Sequence, residues 1–82
     1  MPTYLDIHDL PGVTAAAAAG AHEADVRTQG PYGVTYRHYW VDEQGGKVFC
    51  LVDAPDRESA VRVHREAHGL VAENLFEVLQ GA

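Results

Sequence analysis

Glycine and proline cut this 82-residue chain into short segments whose hydrophobic period switches between two and 3.6, and that alternation leaves few folds open. Thr3 to His8 sets Leu5 and Ile7 against Tyr4, Asp6 and His8, the period of a half-buried strand, and Leu10-Pro11-Gly12 ends it. Thr14 is placed as the N-cap of a helix from Ala15 to about Arg27. After Gly30-Pro31, the runs Gly33 to Asp42 and Lys47 to Asp53 are rich in β-branched and aromatic residues. Between them Asp42-Glu43-Gln44-Gly45-Gly46 has the composition of a hairpin loop. Asp56 or Ala54 caps a second helix that runs to about Ala67, with Pro55 near its first turn and Gly69 just past its end. Asn74 to Leu79 closes the chain as a short apolar strand.

The order β-α-β-β-α-β predicts an α+β, ferredoxin-like domain over residues 1–82, two helices covering one face of a four-stranded antiparallel sheet. A chain of this length has a thin core, so a metal or a second copy would add stability. The plan leaves one sheet face uncovered. One side of the Gly33–Asp42 run reads Val34, Tyr36, His38 and Trp40, and one side of the next reads Phe49 and Leu51. Joined by Tyr4 and His8, these would form an aromatic face too apolar for water, and a homodimer packed through it is expected.

Twelve acidic residues against six basic ones give a net charge of −6, which disfavours nucleic acid. The single Cys50 excludes an internal disulfide and paired CxxC zinc motifs; within Lys47–Val52 it reads as a buried, inert thiol, a ligand or nucleophile being the alternative. The first ten residues lack the basic start of a signal peptide, and no run approaches the ~18 apolar residues of a membrane span. A cytoplasmic location, away from membranes, is expected.

Five histidines are the richest source of chemistry. In His64-Arg65-Glu66-Ala67-His68 the two imidazoles stand one helical turn apart, with Cβ atoms about 5–6 Å from each other, and could chelate one divalent ion. Imidazole suits Ni, Cu, Zn and Fe. Arg65 stands where a zinc protease would carry its general-base Glu, which argues against that reading. Structural roles compete. His64 lies beside the Ala60, Val63, Ala67 stripe and could be a core-edge residue with a hydrogen-bonded ring, while His68 could complement the helix dipole. His22 falls on the side of the first helix that carries Ala15, Ala19 and Val26, as packing histidines do. His8 and His38 are placed on the open sheet face, where convergence with Asp6 or Glu77 would give them meaning. No nucleophile-elbow serine or phosphate loop is present, and the Ala15–Ala19 run reads as a device for close helix–sheet packing.

The stretch Lys47-Val48-Phe49-Cys50-Leu51-Val52-Asp53-Ala54-Pro55-Asp56, followed by Ala60-Val61-Arg62 and His64, resembles a family of small bacterial ferredoxin-like nickel-binding proteins, formerly a domain of unknown function. Leu10 to Thr14, Gly69 and Phe76-Glu77-Val78 are similar to that family's helix entry and tail; Leu70-Val71-Ala72 stands where the family has a proline. The resemblance implies homodimerisation and capacity for Ni²⁺, and carries over best to Cys50, Ala54, Pro55 and His64. The expectation is a non-enzymatic, cytoplasmic homodimer that sequesters or detoxifies Ni²⁺, or another divalent transition metal, through surface histidines. His64 and His68 are the first candidates, followed by His38, His8 and His22. Affinity should fall as the pH drops through about 6.5. The alternative is a small dimeric ferredoxin-like enzyme of oxygenase, isomerase or cyclase type. There Trp40, Tyr36, His38 and Glu77 would line a cleft for an organic ligand, His38 serving as acid or base.

Overall fold

A computed structural model describes residues 1–81. Its elements are β1 (Thr3–Asp9), α1 (Ala15–Thr28), β2 (Thr35–Asp42), β3 (Lys47–Asp53), α2 (Arg57–Ala67) and β4 (Asn74–Val78). The strands pair antiparallel in the order β2-β3-β1-β4, which is the ferredoxin-like plan. Both helices begin where short polar side chains can cap them. Thr14 accepts from the Ala17 N–H at 3.1 Å, and Asp56, not Ala54, accepts from the Ser59 N–H at 2.8 Å.

The faces of the sheet differ from expectation. A short 3₁₀ turn at Gly30–Tyr32 delays β2 to Thr35 and drops Val34 into the core. Tyr36 stands opposite Val52, but His38 stands opposite Leu51, so Arg37 is an extra residue. That bulge turns the rest of the strand over. Val34 and Tyr36 therefore lie under the helices, while His38 and Trp40 lie on the open side. β1 is also reversed: Tyr4, Asp6 and His8 are the buried set, and Leu5 and Ile7 face outward. The alternation was real, but hydropathy alone chose the wrong side, because Asp6 and His8 find partners beneath the helices.

The open face consequently carries Leu5, Ile7, Phe49 and Leu51, flanked by Trp40 and Phe76, which are 52% and 50% exposed. In α1 the buried positions are Ala18 and Asp25, whereas Val26 is exposed. A helix so uniformly alanine has no apolar face for sequence to choose, and its orientation follows from what Asp25 must reach.

Gly46 closes the hairpin between β2 and β3 at φ +67, and its carbonyl accepts from the Leu10 N–H at 2.7 Å. A Cβ there would sit 2.9 Å from the Pro11 Cα, a backbone atom that cannot swing away. Gly46→Ala is expected to cost about 1–3 kcal/mol, read as a lower urea midpoint with an unchanged m-value.

Candidate metal centre

Three elements converge beneath the sheet. β1 supplies Asp6 and His8, two residues apart and so on the same face; α2 supplies His64; α1 supplies Asp25. Each of these four residues is at most 3% exposed. His68, the C-cap residue of α2, reaches the same place, because its own N–H and that of Gly69 both fold back onto the His64 carbonyl (3.1 and 2.9 Å). Surface histidines were expected, yet His8 and His64 are interior, since the strand and helix faces that carry them are the packed ones.

The contacts form a chain. His64 Nδ1–H donates to Asp25 Oδ1 at 2.8 Å, and His64 Nε2 lies 2.9 Å from Asp6 Oδ2. His8 Nε2 is 3.3 Å from His64 Nε2 and 3.1 Å from Asp6 Oδ1. That last approach is close enough for ion pairing but off the hydrogen-bonding direction, so Asp6 Oδ1 is a buried oxygen without an aligned donor. On the far side His68 Nδ1 accepts the Leu70 N–H at 3.1 Å, so Nε2 carries the proton and donates to Asp25 Oδ1 at 3.0 Å. Tyr36 closes the group from β2, its hydroxyl donating to the Ala60 carbonyl at 2.9 Å and lying 3.5 Å from Asp6 Oδ2.

Burial by itself would push the Asp6 carboxyl up, but the hydrogen bond from His64 and the close approach and charge of His64 and His8 outweigh it and bring the pKa down to about 2. Burial likewise pulls His64 down, and Asp25 and Asp6 overcome it, raising the imidazole to about 9. Without a metal, His64 is thus an imidazolium held between two carboxyl groups. For His68 burial dominates and lowers the pKa, in keeping with the neutral tautomer its bonds require. Burial, followed by the charge on Asp6, raises both Tyr36 and Cys50, so the phenol and the thiol keep their protons. Cys50 is buried as expected, but beside Asp6, His8 and His64.

Two overlapping groups could hold a metal ion: Asp6, His8, Cys50 and His64, with ligand atoms within 4.8 Å of one another, and Asp25, His64 and His68. Ligand atoms about 2.0–2.1 Å from a divalent ion stand about 2.9–3.4 Å from each other. The two Nε2 atoms of His8 and His64 stand 3.3 Å apart, and each approaches its own Asp6 oxygen, His64 at Oδ2 (2.9 Å) and His8 at Oδ1 (3.1 Å). The other two candidate histidines stand apart from these groups. His22 packs on Tyr39 with ring centroids 4.8 Å apart, and His38 lies exposed on the open face near Trp40. Sequence reasoning missed Asp25 as a participant; the available signal was a lone acid one helical repeat from Ala18, on the stripe that packs inward.

Residues 4–78 match the family described as nickel responsive protein SCO4226-like. The chain belongs to the SCO4226-like family. Its fold is shared with the crystal structure of SCO4226 from Streptomyces coelicolor A3(2): TM-score 0.90 and 31% identity, covering 98% of this chain and 99% of that one. Among curated proteins no match is found. The family match takes in Asp6, His8, Asp25, Cys50, His64 and His68, so the whole buried group lies within the SCO4226-like unit. No helix among the described residues is long and apolar enough to cross a membrane.

Proposed function

We propose that this SCO4226-like protein binds Ni²⁺ in its interior, with Asp6, His8 and His64 as ligands and Cys50 beside them. The observation that carries the reading is the orientation of His64. Its Nδ1–H is held by Asp25, itself held by His68, which leaves Nε2 to face Asp6 and His8. Metal-ligating histidines are typically held this way by a carboxylate on the second nitrogen. The buried Asp6 oxygen without an aligned donor adds to it. His68 then acts as a support for Asp25, since ligation through its Nε2 would mean giving up the Leu70 bond.

A centre whose ligands are buried side chains suits holding an ion, and we read the role as cytoplasmic sequestration. The donor set favours Cu²⁺ over Ni²⁺ by intrinsic affinity, so nickel occupancy would rest on geometry and availability. The cleft expected of the enzyme alternative is divided: Tyr36 lies beneath the helices, while His38 and Trp40 lie on the opposite face.

Equilibrium dialysis against Ni²⁺, with Zn²⁺, Cu²⁺ and Co²⁺ beside it, tests the site. His8→Gln with Asp6→Asn should abolish measurable binding, and Asp25→Asn should weaken it about 10–100-fold by freeing the His64 ring. Unchanged affinity in the His8/Asp6 variant would sink the assignment and turn attention to His22 and His38.

A second copy covering the open face belongs to the same reading. Trp40 and Phe76, with the partly buried Leu5, Ile7 and Phe49 between them, make an apolar surface of a kind monomers rarely leave bare. The doubly substituted Trp40→Asp, Phe76→Asp chain should run as a monomer in light scattering while wild type runs as a dimer.

A further inference from the structure

Ala18 of the alanine run packs into the core, yet with Ala17 and Ala21 it also forms one wall of a pocket that takes in Val48, Leu70, His22 and Tyr39. The space is about 60 Å³, two waters' share of the liquid, and it is partly open to solvent. Protein interiors seldom leave voids larger than a single water, and leucine at any of these alanines would fill this one. Its floor consists of His8, Cys50, His64, Asp25 and His68. Three of the four side chains grouped around Asp6 thus reach the pocket, while Asp6 stands behind them.

We infer that the pocket admits a small neutral Lewis base with an apolar body, of the imidazole class, that completes the coordination of an ion held by Asp6, His8 and His64. The inference rests on the metal reading above. Three protein ligands leave coordination positions open, and the pocket is the space beside them. Above the floor the walls are apolar except at His22 and Tyr39, so a charged body would be desolvated with few partners. An anion would also meet the carboxylates of Asp6 and Asp25, and a cation would compete with the metal. The volume admits a molecule of roughly three to five non-hydrogen atoms, with any excess reaching toward solvent. The alanine run, which the metal site itself does not use, is accounted for by the room it makes.

The test uses nickel-loaded protein titrated with imidazole, followed by the nickel absorption bands and by calorimetry, the metal retained on the protein being measured throughout. Imidazole should bind loaded wild type, shift the bands without removing the metal, and fail to bind apo-protein. Ala21→Leu, and independently Ala17→Leu, should retain nickel at wild-type affinity and weaken imidazole at least about tenfold. Nickel retained with unshifted bands, equal imidazole binding in both leucine variants, or stripping of the metal in place of a ternary complex would each overturn the pocket assignment. Absence of nickel binding in wild type would overturn the metal reading and this one with it.

Discussion

His64→Ala is expected to be the most damaging single substitution in the chain, costing about 3–5 kcal/mol in the metal-free protein. The alanine removes the cation that Asp6 and Asp25 share and leaves two interior carboxyl groups under-paired, Asp25 with the His68 donor and Asp6 with the His8 approach and the long Tyr36 contact. A domain of this size has a total stability of only about 4–12 kcal/mol, so the melting temperature should fall by at least about 15 °C. The signature of the mechanism is non-additivity. Adding Asp6→Asn and Asp25→Asn to His64→Ala should recover part of the loss, since it removes the under-paired charges, whereas each Asn alone in wild type should destabilise. A triple variant no more stable than His64→Ala, followed by thermal melts, would show that a packing void rather than stranded charge sets the cost.

The second large effect is on pH. His64, raised to about 9, must lose its proton before Nε2 can bind an ion, so protons compete with nickel well above the ordinary imidazole range. The sequence alone had placed that competition near 6.5. Apparent nickel affinity should instead rise about 50-fold between about pH 7 and pH 9, with close to one proton released per ion at the lower pH and about half that at the upper, as calorimetry in buffers of different ionisation enthalpy would measure. A flat profile across that range would remove His64 from the ligand set.

Stability without metal runs the other way on the alkaline side. The raised His64 contributes stability that is complete below about 6.5 and is lost as the pH rises through about 9. The lowered Asp6 contributes stability present above about 4 and lost as the pH falls through about 2. Because the two groups are partners, each shift reports the same interaction, on the order of 3 kcal/mol, and they are not to be added. Metal-free protein should therefore be most stable between about pH 4 and 6.5, and the gain in melting temperature from nickel should widen from there toward pH 9.

Much of this was legible in the residues. The period-two run at Thr3, the hairpin composition at Asp42–Gly46, the caps at Thr14 and Asp56 and the break at Gly69 are local signals, and each holds where it was placed. His64 was legible as a half-apolar helix position, and Cys50 as a buried thiol. Local propensity, capping and periodicity act over a few residues, so sequence carries them in full.

Which side of each element faces in was another matter. A single bulged residue, Arg37, inverted the end of β2, and nothing in its neighbours announces it. β1 buries Asp6 and His8 and leaves Leu5 and Ile7 outward, against hydropathy, because the cost of burying the polar pair is offset by His64, 58 and 56 positions away. Asp25 is recruited across 39 positions by the same group. The order of elements and most of their boundaries, the start of β2 excepted, were thus determined by the sequence on its own. The composition of the buried centre was decided only by tertiary packing, since hydrogen bonds between residues that far apart exist only once three elements have closed over one another.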